Sequence, residues 1–207
     1  MAAATRDDEL ATRKDVLRSH YRLLRSQLTD PERRAADRAR TDLLRQALTG
    51  RPAAVLACYL SAGLEPDTLE IADWAWRHRH RVLCPVLSPL ADGRRRQTPE
   101  WAWYEGTPAL RPGLWGIPEP TGPVLDADIL AEAEVVLVSA LAAGRDGSRL
   151  GTGGGWFDRA LRHARPEAGR WALLHPGEVT DHLPQGPLDV PMTHLALPDG
   201  IITCTGT

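Results

Sequence analysis

Lysine is almost missing from this chain: of 25 basic side chains, Lys14 is the single lysine and all others are arginine. A lysine is a compact, mobile point charge and an arginine a planar fork, so a site shaped around one does not automatically accept the other. Lys14 is therefore either a solvated remnant or a retained site residue. Cysteines are three and widely separated, Cys58, Cys84 and Cys204, which fits neither a disulfide framework nor a zinc spacing. Cys58 and Cys84 lie in apolar, strand-like runs and read as buried packing residues. No apolar run approaches bilayer length, and the first ten residues are charged rather than signal-like. The expectation is a soluble, cytoplasmic protein. A net charge of −2 supplies no global pull toward nucleic acid or an acidic membrane surface. There is no Gly-x-Ser-x-Gly elbow and no His-Glu-x-x-His helix, and the seven histidines are scattered, so serine-nucleophile and zinc chemistry find no support. Internal repeats and low-complexity tracts are absent as well.

What the chain does contain suits one globular domain over residues 1–207, with 43% hydrophobic and 25% charged residues. The spacing of Leu17, Tyr21, Leu24 and Leu28 predicts a helix over about 7–28. Lys14, Arg18, Arg22 and Arg25 recur in the same way beside it, as a solvated face or one turned toward a polyanion. A second helix is expected with Asp30 as its cap, Pro31 in its first position and a stop at Gly50-Arg51-Pro52. The run from Ala53 to Leu60 reads as a strand covered on both faces. The loop after it carries Glu65, at the strand end where open α/β sheets bind ligands. Asp67 and Glu70 read as a capping pair for a helix ending near His78. Further strands are expected at 81–87, 101–104 (antiparallel or edge), 135–142, 171–175 and 194–197, with a short helix over 128–133. The arginines at 94–96 sit on a turn, and the Pro/Gly-spaced segment from Pro108 to Pro123 is long and aromatic enough to be a binding loop. Strands alternating with helices make the class α/β, with a mostly parallel sheet.

The chain's most informative stretch is Arg149-Leu150-Gly151-Thr152-Gly153-Gly154-Gly155-Trp156-Phe157-Asp158-Arg159. It follows an apolar strand and leads into a helix expected from Trp156 to His163. Glycines there remove the Cβ atoms that would keep a ligand off the backbone N–H groups, which favours phosphate; a tightly packed glycine turn is the alternative. A Walker loop needs Gly-Lys-Ser/Thr after the glycines, and a dinucleotide fingerprint needs glycine at Trp156; both are missing. Arg149 before the glycines can neutralise phosphate, and Asp158 after them can hold an accompanying magnesium. Asp189, held between prolines, can supply a second carboxylate.

These residues resemble the RLGxGxGYYD signature of the 5-formyltetrahydrofolate cyclo-ligase family, also called 5,10-methenyltetrahydrofolate synthetases. The resemblance extends to Lys14-x-x-Leu17-Arg18, to the Glu65 loop, to Trp115-Gly116-Ile117-Pro118-Glu119-Pro120 and to Asp189-Val190-Pro191, in the family's order. It implies a three-layer α/β/α sandwich. It further implies that Lys14, Arg18, Arg149, Gly151, Gly153, Gly154, Gly155, Trp156 and Phe157 contact ATP, with Lys14 and Arg149 catalytic. Asp158 and Asp189 match magnesium ligands, and Glu65 matches a folate-contacting acid. Trp156 also falls on the folate side, where Trp103 and Trp115 join it by position and aromatic type.

The implied reaction is ATP- and Mg2+-dependent closure of 5-formyltetrahydrofolate to 5,10-methenyltetrahydrofolate through a phosphorylated formyl oxygen. It runs by positioning and charge neutralisation, without a protein nucleophile. A reduced folate is the small-molecule partner, the protein is expected to be a monomer, and neither nucleic acid nor membrane is expected. The chain departs from the family pattern at Ser139, Ala143 and Gly144, where proline and phenylalanine-aspartate are common. Trp156-Phe157 replaces paired tyrosines and so lacks both hydroxyls. Thr193 stands where a second acid is frequent. These changes leave open a relative that activates another amide or formamide with ATP, a folate binder without turnover, or a nucleic-acid binder using the arginines.

Overall fold

In the computed structural model, residues 2–50 and 54–206 are described, with side chains from residue 8 onward. Arg51, Pro52 and Ala53, expected at the helix stop and the following strand's first residue, lie outside the described residues. The chain opens with helices α1 (Ala2–Ser26) and α2 (Asp30–Leu48). The cap of α2 is Thr29 rather than Asp30. Its hydroxyl accepts from the Glu32 amide while Glu32 reaches back to the Thr29 N–H, and this reciprocal pair moves Pro31 one position into the helix. Strand β1 (Val55–Cys58), helix α3 (Leu69–Arg77), strand β2 (Arg81–Val86) and strand β3 (Glu100–Trp103) follow. Thr68, not Asp67, occupies the cap position of α3, and Glu70 pairs with Arg45 at 2.7 Å instead of capping. Asp67, one position outside the cap, accepts from the Ser61 hydroxyl at 2.8 Å and, more weakly, from the first amide of α3, Leu69 N–H, at 3.4 Å.

Next come a hairpin of β4 (Leu110–Pro112) and β5 (Pro118–Pro120), a 3-10 turn over Ala127–Glu132 where a short α-helix was expected, and β6 (Val135–Ser139). The strand expected over 135–142 is broken: Ala142–Gly144 is a separate strand, β7, which pairs antiparallel with β8 (Arg149–Leu150). Helix α4 (Trp156–Ala160) is shorter than expected and ends in a 3-10 turn at Leu161–His163. Then come β9 (Gly169–Leu173), β10 (Val179–Thr180), β11 (His194–Leu197) and β12 (Gly200–Thr203), the last unforeseen in the sequence.

Seven strands form one sheet in the order β12-β11-β9-β6-β1-β2-β3. Its five central strands are parallel, and antiparallel partners close both edges. Alternation along the buried strands builds two cores. Leu56, Cys58, Val135 and Leu137 face Leu44 and Leu48 of α2 and Ile71, Ala72 and Ala75 of α3. Ala57, Val136 and Val138 face the opposite side, covered by Leu130, Ala133, Ala160 and Leu161. This is the three-layer α/β/α sandwich expected. Both cysteines of the central strands, Cys58 and Cys84, are fully buried free thiols.

Helix α1 stands apart from these layers. Its Leu17, Tyr21 and Leu24 pack on Leu141, Ala142, Leu150 and Leu183, against the small sheet β10-β7-β8. Among the described residues, no helix is long and apolar enough to cross a membrane.

Candidate active site

The parallel strands run in the order β2-β1-β6-β9-β11, so the chain moves outward in opposite directions from the β1/β6 neighbours. Such a reversal leaves a crevice at the carboxyl ends of the two strands. The loop after β1 and the last residue of β6 meet there: the Ser139 hydroxyl donates to the Glu65 carboxylate. Glu65 also accepts from the Ala62 amide at 3.0 Å. From this point a cleft of about 430 Å³ opens between the glycine loop and the β4–β5 hairpin.

One end of the cleft is charged. Arg149, only 6% exposed, is delivered by β8 beneath the glycines and is paired with Asp158 of α4. Its Nε is buried without a partner among the described residues, an unspent donor at the cleft wall. Burial pushes the Arg149 pKa down, and Asp158 and Asp189 oppose that shift. Asp158 accepts from the Val190 amide at 3.3 Å, which places it beside Asp189. Asp189 accepts from Gly186 N–H at 2.6 Å and is paired with Lys14.

The loop between these groups is shaped by its glycines. Gly153 (φ 112°) and Gly155 (φ 61°) occupy left-handed backbone that other residues resist. At Gly151 and Gly154 an added Cβ would touch nothing within 4 Å, so no contact inside the protein demands glycine there. The basic stripe of α1 lies along the outer side of this loop. Arg18 donates to Gly151 O at 3.0 Å and Arg22 to Thr152 O at 3.1 Å.

The other end of the cleft is apolar and aromatic. Trp156 stands edge-on to buried Trp101 (centroids 5.1 Å apart) and to Phe157 (5.0 Å). Tyr59, buried at the end of β1, donates to Pro66 O at 2.8 Å and lies edge-on to Phe157. Leu114, Trp115, Ile117 and Pro118 of the hairpin form the facing wall. Glu119 pins that hairpin: its buried carboxylate accepts from the Leu87 and Ser88 amides, each at 3.0 Å, and from Arg111. Burial alone would raise the Glu119 pKa, but these donors hold it below the usual value.

A sequence model of the 5-formyltetrahydrofolate cyclo-ligase family matches residues 11–198. The chain belongs to this family. A cyclo-ligase of Mycolicibacterium smegmatis is 35% identical over 183 residues, covering 85% of this chain and 90% of that protein. One from Haemophilus influenzae is 25% identical over 181 residues, covering 87% and 95%. Among solved structures, the NMR structure of Aquifex aeolicus 5,10-methenyltetrahydrofolate synthetase superposes with a TM-score of 0.75 over 93% of each chain, at 20% identity. The synthetase of Mycoplasma pneumoniae gives 0.68 over 89% of this chain and 98% of that one, at 18% identity. The last two likenesses establish a shared cyclo-ligase fold.

Within this cyclo-ligase fold, the residues singled out in the sequence gather unequally. Glu65, Trp115, Arg149, Gly151, Gly154, Gly155, Trp156, Phe157 and Asp158 line the cleft. Lys14, Arg18, Gly153 and Asp189 are not in that lining: Arg18 reaches it through Gly151 O and lies against Gly153, and Lys14 is paired with Asp189, which precedes the Val190 amide bound by Asp158. Trp103 does not join them. It shares a face of β3 with Trp101 but lies farther from the crevice along the strand, opposite Leu83 rather than Pro85, and the Arg81 guanidinium near the start of β2 lies 3.7 Å from its ring centroid. Its neighbour Trp101 backs the aromatic end instead.

Of the departures from the family pattern, Ser139 and the Trp156-Phe157 pair reach the cleft. Ala143 and Gly144 do not: Ala143 is buried in a core, and a Cβ on Gly144 would collide with Ser148 and Asp146 at 2.3 and 2.4 Å. Sequence reasoning missed Tyr59, which carries no signal beyond being the one aromatic in an apolar strand. It also missed Arg95 and Arg96 as lining residues and Glu119 as the hairpin's anchor. In the arginine cluster, Arg94 is paired with Asp92 and Arg96 with Glu100 and Ser88 O.

Proposed function

We propose that this chain closes 5-formyltetrahydrofolate to 5,10-methenyltetrahydrofolate with consumption of MgATP, acting as a single-domain, monomeric, cytoplasmic enzyme. The observation that carries the reading is the continuity of one cleft from a glycine loop backed by a buried, under-bonded arginine to an aromatic chamber ending at Glu65. Triphosphate suits the charged end. Gly151 and Gly154 leave room for phosphate oxygens to approach the backbone, and Arg149 offers a desolvated cation. The flat pterin suits the chamber of Tyr59, Trp115, Trp156 and Phe157. Glu65 and Ser139, at the cleft floor, are assigned to polar atoms of that ring.

In the reaction so assigned, the N5-formyl oxygen takes the γ-phosphoryl group of ATP, releasing ADP. The N10 nitrogen attacks the activated formyl carbon, phosphate departs with the former formyl oxygen, and N10 loses its proton as the ring closes. The protein holds the two substrates in line, excludes water with the hairpin and places Lys14 and Arg149 against developing phosphate charge.

Magnesium fits the donor set on chemical grounds. Asp158 and Asp189 are two hard carboxylates that both act on Arg149, Asp158 accepting from the amide that follows Asp189, and Mg2+ bound with a nucleotide typically takes one or two carboxylates and completes its shell with phosphate and water. Bound there, it would neutralise phosphate charge. Arg149 and Lys14, now paired with those carboxylates, would then turn to the phosphates.

The test is turnover with MgATP and 5-formyltetrahydrofolate, following methenyl absorbance and ADP together. Parallel rise of both supports the reading. ATP binding without methenyl formation would refute the folate assignment and redirect attention to other formamides, whereas folate binding without ADP release would mark a binder without turnover.

A further inference from the structure

Two residues beyond the end of β9, His175 is fully buried behind the Glu65 loop. Its Nε2 lies 3.1 Å from the Leu64 carbonyl oxygen, and since a carbonyl only accepts, Nε2 carries the hydrogen. The His175 amide donates to Glu178 Oε2 at 2.8 Å, and both Glu178 oxygens are held by Arg25, at 2.7 and 2.8 Å. Arg25 also donates to Ala140 O at 2.7 Å, one residue past Ser139. One buried network therefore grips both sides of the Glu65–Ser139 contact: Leu64 on the loop after β1 and Ala140 at the end of β6.

The grip matters because Glu65 has somewhere else to go. A smaller pocket of about 160 Å³ borders the same loop, and Glu65 shares its wall with Arg34, with Arg33, already paired with Asp30, and with Asp37 and Asp67. Rotation of the Leu64–Glu65 peptide would carry the carboxylate out of the cleft and toward that second pocket. That peptide is held on both sides: its N–H donates to Ala62 O at 3.2 Å within the loop, and its carbonyl accepts from His175, which ties the loop to the end of β9. Burial, helped by the charges of Arg40 and Arg25, holds the His175 pKa down at about 4, so the ring stays a neutral single donor near neutral pH.

We infer that His175 is a positioning residue for Glu65, holding the Leu64 carbonyl so that the carboxylate faces Ser139 and the substrate rather than the second pocket. The inference rests on the reading of Glu65 as a substrate-contacting group. His175→Leu keeps the bulk and deletes the donor; His175→Gln keeps a donor to the same carbonyl. With Leu, the KM for 5-formyltetrahydrofolate should rise roughly tenfold, the scale of one lost hydrogen bond, while the KM for ATP stays within about twofold. With Gln, the folate KM should return to within about threefold of the parent.

A second measurement needs no substrate: the Ala62 amide, held by Glu65, should exchange its hydrogen roughly tenfold faster in the Leu variant and near the parent rate in the Gln variant. A folded Leu variant with unchanged folate KM and unchanged Ala62 exchange would overturn the inference. Equal rises in both KM values, or identical behaviour of Leu and Gln, would overturn it too. An unmodified protein that forms no methenyl product would instead count against the proposed reaction, and the exchange measurement would then decide the role of His175.

Discussion

Glu178→Ala should be among the most damaging single changes away from the cleft itself. Glu178 and Arg25 are almost wholly inaccessible, with side-chain exposures of 1% and 5%. Removing the carboxylate strands a buried guanidinium and also unpairs the His175 amide. Breaking one side of a buried pair typically costs about 3–5 kcal/mol, because the remaining charge has neither water nor a counter-charge; Arg25 would keep only the neutral Ala140 carbonyl. For a chain of this size each kcal/mol moves the melting midpoint by about 2–4 °C, so a drop of roughly 6–20 °C is expected.

Urea unfolding followed by far-ultraviolet circular dichroism, with the thermal midpoint as a check, measures this directly. Two comparisons sharpen it. Glu132→Ala removes a pair with Arg81 whose side chains are 48% and 58% exposed, and it should cost under about 1 kcal/mol. The double variant Arg25→Met/Glu178→Leu removes both charges and should recover most of the lost stability, since apolar replacements of a buried pair are often neutral or better. An Glu178→Ala effect as small as that of Glu132→Ala would refute the argument, because the pair would then be hydrated.

Asp158→Ala should reduce Mg-dependent methenyl formation to background in the coupled absorbance and ADP assay, and near-parent rates would remove Asp158 from the site. Lys14→Arg keeps the charge but replaces a point cation with a wider fork facing Asp189, and should slow turnover by roughly tenfold or more in steady-state kinetics. Trp115 is 83% exposed with φ 57°, a left-handed backbone costly for tryptophan. Trp115→Gly should therefore leave stability equal or higher by about 1 kcal/mol while raising the folate KM, and a loss of stability in a denaturant melt would contradict the strain. Acid should weaken the fold through His175. Its folded pKa, about 4, lies below the ordinary 6.5, so the unfolded chain binds more protons between those values and stability falls as pH drops through that window. His175→Gln should flatten this part of the melting profile relative to the parent, and unchanged slopes would show that other groups carry it.

Legibility in the sequence followed the range of the interactions. The helical stripe of Leu17, Tyr21 and Leu24, the two-faced apolar strands and the glycine loop depend on neighbours a few residues apart, and they appeared where periodicity put them. The errors at Asp30 and Asp67 were competitions between adjacent capping residues, decided in one case by the reach of Glu32 back to Thr29. Trp103 misled because aromatic type does not reveal which end of a strand meets a crevice: Trp101, on the same face, lies opposite Pro85 at that end, and Trp103 lies two residues away from it. Tyr59, Glu119 and His175 act through partners 7 to 111 residues away and carry no local mark.

By itself the sequence determined the α/β class, the buried strands, the glycine-shaped loop and the chemical types gathered around it. These rest on side-chain period, backbone freedom and charge, which are properties of short segments. The tertiary structure alone decided the strand order that opens a crevice between β1 and β6, the meeting of Glu65 with Ser139, and the pairing of Lys14 with Asp189 across 175 residues. Such contacts form only when sheet and helices pack together, because the chain entropy lost in joining distant segments is recovered only when both cores close.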